Sequence, residues 1–196
     1  MKTTLFSLLS LATAQFAAAS IDLGSTTSGT PYDRYMTPVR SVLHNLAGEE
    51  TSMDRVRRLM AQGRNFRYSF TDPYTAASPS RTAATRAGDC KAKSLWLCDQ
   101  LNDSSVRYVI GKARRTSKIS HAWVMWEHNS QWWILDCTNT SQPIPADRVS
   151  SNQYIPFYSY TKRGTFRHNS TTNMMASNVA GKAKSPVAST WSTGRR

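Results

Sequence analysis

The feature that most constrains the fold is a pair of apolar segments joined by a short polar turn. Residues 122–127 and 131–137 are rich in tryptophan and aliphatic side chains, a composition that favours strands. The intervening residues 128–130 read His-Asn-Ser, and a polar connection of this length between two such runs predicts an antiparallel β-hairpin. The chain is therefore expected to contain an antiparallel sheet.

Two polar residues lie at the open end of this hairpin. His121 begins the first strand and Asp136 closes the second, so their midpoint falls between His128 and Asn129. A two-residue turn at that midpoint places them directly across the ladder, with Cβ atoms about 5 Å apart. A three-residue turn would set His121 opposite Cys137 instead. In the first register the carboxylate accepts from one imidazole nitrogen and leaves the other available.

A cysteine opens another apolar segment upstream of the hairpin. Cys90 follows Gly88 and Asp89, and the apolar residues from Leu95 to Leu101 predict a buried helix. A thiol at a helix N-terminus lies where the helix dipole and free backbone N–H groups favour a thiolate. The N–H of Cys90 would also be free to donate to a developing oxyanion.

Cys90, His121 and Asp136 together supply a nucleophile, a general base and a residue that orients the base, which is the set that thiol acyl chemistry requires. Singly, each has an ordinary alternative: a buried inert thiol, a histidine at a strand start and an aspartate at a strand end. Their order and the hairpin register favour the catalytic interpretation. Trp123 and Trp133 are candidates for excluding water beside the thiol. The remaining histidines are interpreted as surface or structural residues: His44, His128 and His168.

Composition divides the chain into four segments. Residues 1–19 combine a basic start, a short apolar run and small residues, which predicts a secretory signal peptide and hence export to a periplasmic or extracellular location. Residues 20–35 are rich in serine, threonine and glycine and are predicted to be a linker. Residues 36–170 are expected to form the catalytic domain, and the weakly apolar residues 171–196 a disordered basic tail.

Sequence signals predict two helices before the cysteine. The first is expected to begin with Thr37 as its cap and to stop at Gly48. The second is expected to use Thr51 as its cap, with Asp54 completing a capping box, and to end at Gly63. The other elements predicted from the pattern are short strands at residues 66–70, 106–110 and 155–160, a functional loop at 71–87 and a basic connection at 112–120.

The net charge of +13 and the three cysteines limit the partners and the chemistry. Either the positive charge contacts an anionic surface, such as an envelope polymer, or it serves solubility alone. The basic residues are scattered, so no specific nucleic-acid partner is predicted. Cys98 and Cys137 either form a disulfide that leaves Cys90 free or are two buried thiols. No cysteine–histidine cluster has zinc-ligand spacing, so neither metal nor cofactor is predicted.

At these motifs the chain resembles the transglutaminase-like superfamily, and it is especially similar to bacterial transglutaminase-like cysteine peptidases. The matching pieces are residues 88–90, 106–111, 121–123 and 133–138. The resemblance implies a papain-like α+β fold in which the cysteine-bearing helix packs on an antiparallel sheet that carries the histidine and the aspartate. It implies that Cys90 is the nucleophile, His121 the general base and acid, and Asp136 the orienting residue.

The resemblance also implies features that this sequence matches weakly. An upstream side chain supplies a further oxyanion donor in the family, and Tyr68 is a weak candidate for it. Some bacterial members bind calcium through acidic residues near the site. Here Asp89, Glu127 and the loop residue Asp72 are too few, so calcium binding is not expected.

The expected function is therefore that of an exported cysteine peptidase or amidase acting on a protein or peptide substrate. Two alternatives stay open: a protein-crosslinking transamidase with the same triad, and a non-enzymatic, basic envelope-binding module. Asn102, Asn139 and Asn169 each begin an Asn-x-Ser/Thr sequon. A glycan at Asn139 would crowd the site because this residue is close in sequence to Asp136.

Overall fold

The computed structural model describes residues 21–48, 50–72 and 74–170, so the predicted signal peptide and basic tail lie outside the described residues. The α-helices in these ranges are α1 (Thr37–His44), α2 (Met53–Arg64), α3 (Pro79–Thr85) and α4 (Cys90–Leu101). The strands in the same ranges are β1 (Ser25–Thr26), β2 (Arg67–Tyr68), β3 (Ala87–Gly88), β4 (Val106–Arg114), β5 (His121–His128), β6 (Gln131–Leu135), β7 (Ile144–Pro145), β8 (Gln153–Thr161) and β9 (Gly164–Arg167).

Seven strands form one antiparallel sheet in the order β1-β9-β8-β4-β5-β6-β7. The long central strands β4 and β5 pair with each other, and α4 packs against both of them. The short strands β2 and β3 form a separate parallel pair just before α4. This arrangement confirms the predicted α+β fold, with the cysteine-bearing helix packed on an antiparallel sheet.

Helix α4 is buried on nearly every side, and only Asp99 and Gln100 escape burial. Its buried polar side chains therefore need partners inside the protein. The Lys93 ammonium donates to the Phe66 carbonyl at 2.6 Å, and the Ser94 hydroxyl donates to the Ala122 carbonyl at 3.0 Å. These bonds fix the helix to β5 and to the segment before β2, and so fix the position of its first turn.

The hairpin is present, but its turn lies one residue later than the sequence predicts. Asn129 and Ser130 form a two-residue turn with φ of 51° and 59°, and asparagine tolerates this left-handed conformation well. The register pairs Trp126 with Trp133 and Val124 with Leu135. The predicted direct pairing of His121 with Asp136 is therefore wrong, because the extended register would set Trp123 opposite Asp136.

The helix starts also differ from the predictions in detail. Met36 caps α1, so that Thr37 and Pro38 are its first two residues. Ser52 rather than Thr51 caps α2 and accepts from the Arg55 N–H at 3.3 Å. The Thr51 hydroxyl instead donates to the Leu101 carbonyl at the end of α4. This hydrogen bond joins residues that are far apart in the sequence, so local sequence signals do not predict it.

The predicted loop 71–87 contains a helix of its own. Ser78 caps α3 by accepting from the Arg81 N–H at 3.3 Å, and Pro79 occupies the first helical position, which is a recognised start signal. The helix ends at Arg86, whose φ is +48°. The many small residues of segment 71–87 led to the prediction of a loop. Alanine, however, favours a helix, and a short alanine-rich segment after such a cap can form one.

The predicted linker at residues 20–35 is wrong for the part that the structure describes. Strand β1 pairs with β9, and the Leu23 carbonyl accepts from the Arg107 guanidinium at 2.7 Å. The Asp22 carbonyl bonds to the buried His168 ring at 2.9 Å. Residues 21–35 are thus a packed N-terminal arm, and His168 has the structural role that the sequence predicts. No helix in the described part of the chain is long and apolar enough to cross a membrane.

Candidate active site

Cys90 is the first residue of α4 and is 8% exposed. The carboxylate of the cap residue Asp89 accepts from the N–H groups of Lys91 and Ala92, each at 3.1 Å. A Cβ on Gly88 would lie 2.9 Å from that of Ala92, so only glycine fits where the chain turns into the helix. The thiol is therefore held at the N-terminus of a buried helix.

Lys91 forms a buried ion pair with Asp89 directly beside the cysteine. Its ammonium lies 2.5 Å from the Asp89 carboxylate, and both side chains are almost completely buried. The same carboxylate accepts from the Thr71 hydroxyl at 3.0 Å. The ammonium also lies about 5 Å from the ring centroids of Phe70 and Tyr74, a distance typical of cation–π contacts. The pair thus joins the start of α4 to the loop after β2.

His121 and Asp136 are in contact despite the different register. His121 Nε2 lies 2.8 Å from Asp136 Oδ2. The shift of two residues keeps both side chains on the same face of the sheet, because side chains alternate with a period of two. They therefore meet diagonally across the hairpin instead of directly.

The structure brings Cys90 to the same imidazole. Burial lowers the pKa of His121, but hydrogen bonds to Asp136 and to Cys90 outweigh it and raise the pKa to about 10. Because Nε2 bonds to Asp136, Nδ1 is the ring nitrogen that remains for the thiol. The His121–Asp136 pair therefore lies close enough to Cys90 for the thiol to affect the imidazole, and the raised pKa favours the imidazolium at neutral pH.

The Asp136 carboxylate has more partners than the sequence indicates. Oδ2 accepts from the Tyr154 hydroxyl at 3.0 Å and from the Asn139 amide at 2.7 Å, and Oδ1 accepts from the Thr138 N–H at 3.1 Å. Burial raises the pKa of Asp136, but the bonds from His121, Asn139 and Tyr154 lower it overall. The carboxylate is consequently held ionised and in one orientation.

Sequence reasoning missed Tyr154 and Asn139 as parts of this site. Asn139 follows Asp136 closely enough for an aspartate-led turn to indicate it. Tyr154 comes from β8 and has no local signal. Its φ of +46° is uncommon for a residue with a side chain, and its ring contacts Trp123 edge-on at 5.5 Å. Unfavourable backbone conformations of this kind concentrate at functional sites.

The other sequence candidates occupy varied positions. Trp123 is buried and stacks on the His121 ring with 6.1 Å between the ring centroids. Trp133 packs against the hydrophobic core that includes the buried residues of α4. His128 stacks on Trp126 at 4.5 Å between ring centroids. The amide oxygen of Asn102 accepts from the Ala47 N–H at 2.9 Å, which gives this sequon residue a structural role at the end of α4.

Cys98 and Cys137 are buried free thiols, which decides between the two alternatives that the sequence leaves open. Burial is the main cause that raises the pKa of Cys98, and it also raises the pKa of Cys137 to about 12. A thiol that stays protonated is a poor nucleophile. These two cysteines are therefore inert at neutral pH.

The residues beside the cysteine do not fit a calcium site. The Asp89 carboxylate already bonds to an ammonium, a hydroxyl and backbone N–H groups, which leaves no free oxygen for a cation. Across the described ranges, no group of three or more histidine, cysteine or acidic side chains is arranged to hold a metal ion.

Comparison with solved structures shows similarity to LapG of Legionella pneumophila. The TM-score is 0.51 at 15% sequence identity, over 77% of this chain and 88% of that chain. For the EGTA-treated form of LapG the TM-score is 0.50 at 16% sequence identity, over 74% of this chain and 81% of that chain. For a provisionally assigned cysteine protease from Cytophaga hutchinsonii the TM-score is 0.39 at 16% sequence identity, over 69% of this chain and 60% of that chain. No protein-family model and no curated protein matches the sequence. The likeness shows that this chain shares the fold of LapG.

Proposed function

We propose that this protein is an exported cysteine peptidase or amidase that cleaves amide bonds through Cys90, His121 and Asp136. The observation that carries the proposal is the 2.8 Å contact between His121 and Asp136, with Cys90 at the start of a buried helix and near enough to raise the pKa of His121. The fold supports it, since it is the α+β arrangement that the transglutaminase-like resemblance of the sequence implies. Export rests on the signal-peptide pattern of residues 1–19, and N-terminal sequencing of the secreted protein tests it.

In the proposed reaction the Cys90 thiolate attacks the amide carbonyl carbon, and the carbonyl oxygen becomes an oxyanion. The N–H of Cys90 lies in the first turn of α4 and has no acceptor within the helix, so it is placed to bind that oxyanion. The His121 imidazolium then gives its proton to the leaving nitrogen, and the carbon–nitrogen bond breaks to leave a thioester.

Water completes the proposed cycle. The neutral imidazole takes a proton from water, the hydroxide attacks the thioester carbon, and the carbon–sulfur bond breaks to release a carboxylic acid and the thiolate. Asp136 keeps the imidazole in one orientation and stabilises its protonated form in both steps. A primary amine that replaced water would give the crosslinking reaction through the same intermediate.

Iodoacetamide labelling followed by peptide mass spectrometry tests the nucleophile. We expect Cys90 to be alkylated at neutral pH well before Cys98 and Cys137, which serve as internal controls in the same molecule. Cys90→Ala should abolish hydrolysis of fluorescently labelled casein, whereas Cys98→Ala should retain it. Equal alkylation of all three thiols, or unchanged hydrolysis by Cys90→Ala, would exclude the proposal.

Adding dansylcadaverine to the casein reaction distinguishes the acceptors. Hydrolysis without incorporation of the amine supports the peptidase, and incorporation without hydrolysis supports the transamidase. If casein is inert and the Cys90→Ala protein still binds an anionic polymer in a salt-dependent manner, the envelope-binding alternative is favoured.

A further inference from the structure

Tyr74 contacts the sequence neighbours of both Cys90 and His121. The Lys91 ammonium lies 4.9 Å from the centroid of the Tyr74 ring, and Lys91 follows Cys90 in the first turn of α4. The Ser120 hydroxyl donates to the Tyr74 hydroxyl at 3.3 Å, and Ser120 immediately precedes His121, the first residue of β5. One side chain therefore joins the segment that carries the thiol to the segment that carries the imidazole.

The N-terminal arm packs against the Tyr74 ring. The ring centroid lies 5.3 Å from that of Tyr32 and 5.9 Å from that of Tyr35, with the rings tilted in both pairs. Tyr32 in turn meets Tyr158 of β8 edge-on at 5.9 Å. Aromatic pairs at such distances stabilise a structure beyond the area that they bury. The arm and the sheet thus restrict the position of the Tyr74 ring.

The Tyr74 ring also lies near the thiol. Burial is the main cause that raises the pKa of Tyr74; the bond from Ser120 acts in the opposite direction, and charge on Cys90 raises the pKa further. The hydroxyl therefore stays protonated at neutral pH. Its position and its protonation suit a group that holds its neighbours in place and does not exchange protons with them.

The start of β5 is held less firmly than its centre. The ladder between β5 and β6 reaches only to the pair of Val124 and Leu135. Within the described strands, His121 therefore pairs only with Gly111 of β4. A strand end that is paired on one side has more freedom to move than a strand centre. The bond between Ser120 and the fixed Tyr74 ring restrains the strand at this point.

We propose that Tyr74 is a positioning residue of the candidate active site, whose contacts with Lys91 and Ser120 hold the His121 imidazole close to the Cys90 thiol. This inference rests on the proposed function for the importance of that contact. Its physical basis is the restraint of two segments by one packed ring, which leaves the imidazole fewer positions relative to the thiol.

Titration of His121 by NMR tests the inference without requiring catalysis. The imidazole nitrogen signals are followed against pH in the unmodified protein, Tyr74→Phe, Cys90→Ala and the double variant. The His121 signals are those absent from His121→Gln. Cys90→Ala should lower the pKa of His121, because Cys90 is one of the groups that raise it.

Tyr74→Phe keeps the ring and removes only the hydroxyl. With Cys90 present, it should lower the pKa of His121 by about one unit, roughly the value of one hydrogen bond. In the Cys90→Ala background it should leave that pKa nearly unchanged, because the thiol through which the position of the imidazole is read is absent. A loss of stability alone would not produce this difference between the two backgrounds.

Two further variants assign the effect to the bond. Ser120→Ala removes the same bond from the other side, so it should reproduce the shift and add nothing to that of Tyr74→Phe. Tyr160→Phe is the matched control, because it also removes a hydroxyl that bonds to a hydroxyl, that of Thr30 at 2.6 Å. It should not change the pKa of His121. The other titratable groups that border the pair are the same in all of these variants: Asp89, Lys91, Asp136 and Tyr154.

A shift of equal size with and without Cys90 would overturn the inference, and so would an unchanged pKa of His121 in either Tyr74→Phe or Cys90→Ala. The outcome is separable from that of the proposed function. If the pKa shifts as expected but the unmodified protein never cleaves casein, the positioning role stands and the peptidase proposal fails. If casein is cleaved and Tyr74→Phe leaves the pKa unchanged, the peptidase stands and the positioning role fails.

Discussion

Asp89 and Asp136 are both fully buried carboxylates beside the candidate active site, but their partners differ in kind. Asp89 bonds to the ammonium of Lys91, two residues away. Asp136 bonds to the imidazole of His121, which can lose its proton. The first carboxylate is held by a fixed charge and stabilises the position of the cysteine. The second is held by a group that must change charge during the proposed reaction.

The two carboxylates also differ in where their partners come from. The bonds to Asp89 come from the first turn of α4 and from Thr71. The bonds to Asp136 come from β5, from the turn after β6 and from Tyr154 at the start of β8. Removing a partner of Asp89 should therefore affect mainly stability, whereas changing Asp136 or its partners should affect mainly turnover. The following substitutions test that division.

Asp136→Asn should have the largest effect. The amide is similar in size but carries no charge, so it neither stabilises the imidazolium nor fixes the tautomer of His121. We expect kcat on labelled casein to fall by roughly 10²–10⁴, as for loss of the equivalent charge in other triads. Iodoacetamide labelling of Cys90 should slow as well. Turnover within a factor of two of the unmodified protein would show that Asp136 does not orient His121.

Lys91→Met should act on stability instead. It leaves the Asp89 carboxylate buried without its cation, a change that typically costs about 3–5 kcal/mol. Urea unfolding measures the loss. The double variant Asp89→Asn with Lys91→Met removes both charges and should recover most of it. If the single and double variants unfold at the same urea concentration, the ion pair is not the source of the effect.

Tyr154→Phe should have an intermediate effect on both properties. It removes one hydrogen bond to a buried carboxylate, worth about 1.5–3 kcal/mol, and loosens Asp136 without discharging it. We expect kcat to fall about tenfold, with KM nearly unchanged. Tyr160→Phe is the matched control, because it removes a hydroxyl that bonds to Thr30 at 2.6 Å, away from the triad. An equal loss of kcat in both variants would show that the Tyr154 hydroxyl has no specific effect on Asp136.

The same contrast explains which parts of the site the sequence predicts. The cysteine side depends on a contiguous stretch: a glycine, a capping aspartate and a helix that begins at Cys90. Local signals are sufficient there, and the sequence identified them. The ion pair was still missed, because two lysines in an apolar helix do not indicate that both are buried.

The histidine side depends on which residues of a hairpin form its turn. The residues with positive φ are Asn129 and Ser130, rather than His128 and Asn129. As a result, each residue of one strand pairs with a residue two positions further along the other strand than predicted. The contact between His121 and Asp136 survives because an even shift preserves the face of the sheet. Tyr154 could not be found from local pattern, since β8 reaches the site only through the sheet order.

The pH dependence of stability separates the two carboxylates once more. The pKa of His121 is raised in the folded protein from 6.5 to about 10. Protonated His121 therefore makes its full contribution to stability below about pH 6.5, and this contribution is lost as the pH rises toward 10. The reason is that the folded state must release a proton that the unfolded state has already released. One such group changes the free energy of unfolding by at most about 1.4 kcal/mol per pH unit.

The comparison of the unmodified protein with His121→Gln isolates this contribution. Urea unfolding at pH 6, 8 and 10 should show the difference between the two proteins shrinking as the pH rises, whatever other groups titrate in both. A difference that stays constant over this range would mean that the pKa of His121 is the same in the folded and the unfolded protein, so that the imidazole is neutral above about pH 7. In that case Asp136 would be holding an imidazole rather than an imidazolium, and the contrast with Asp89 would be one of location instead of charge.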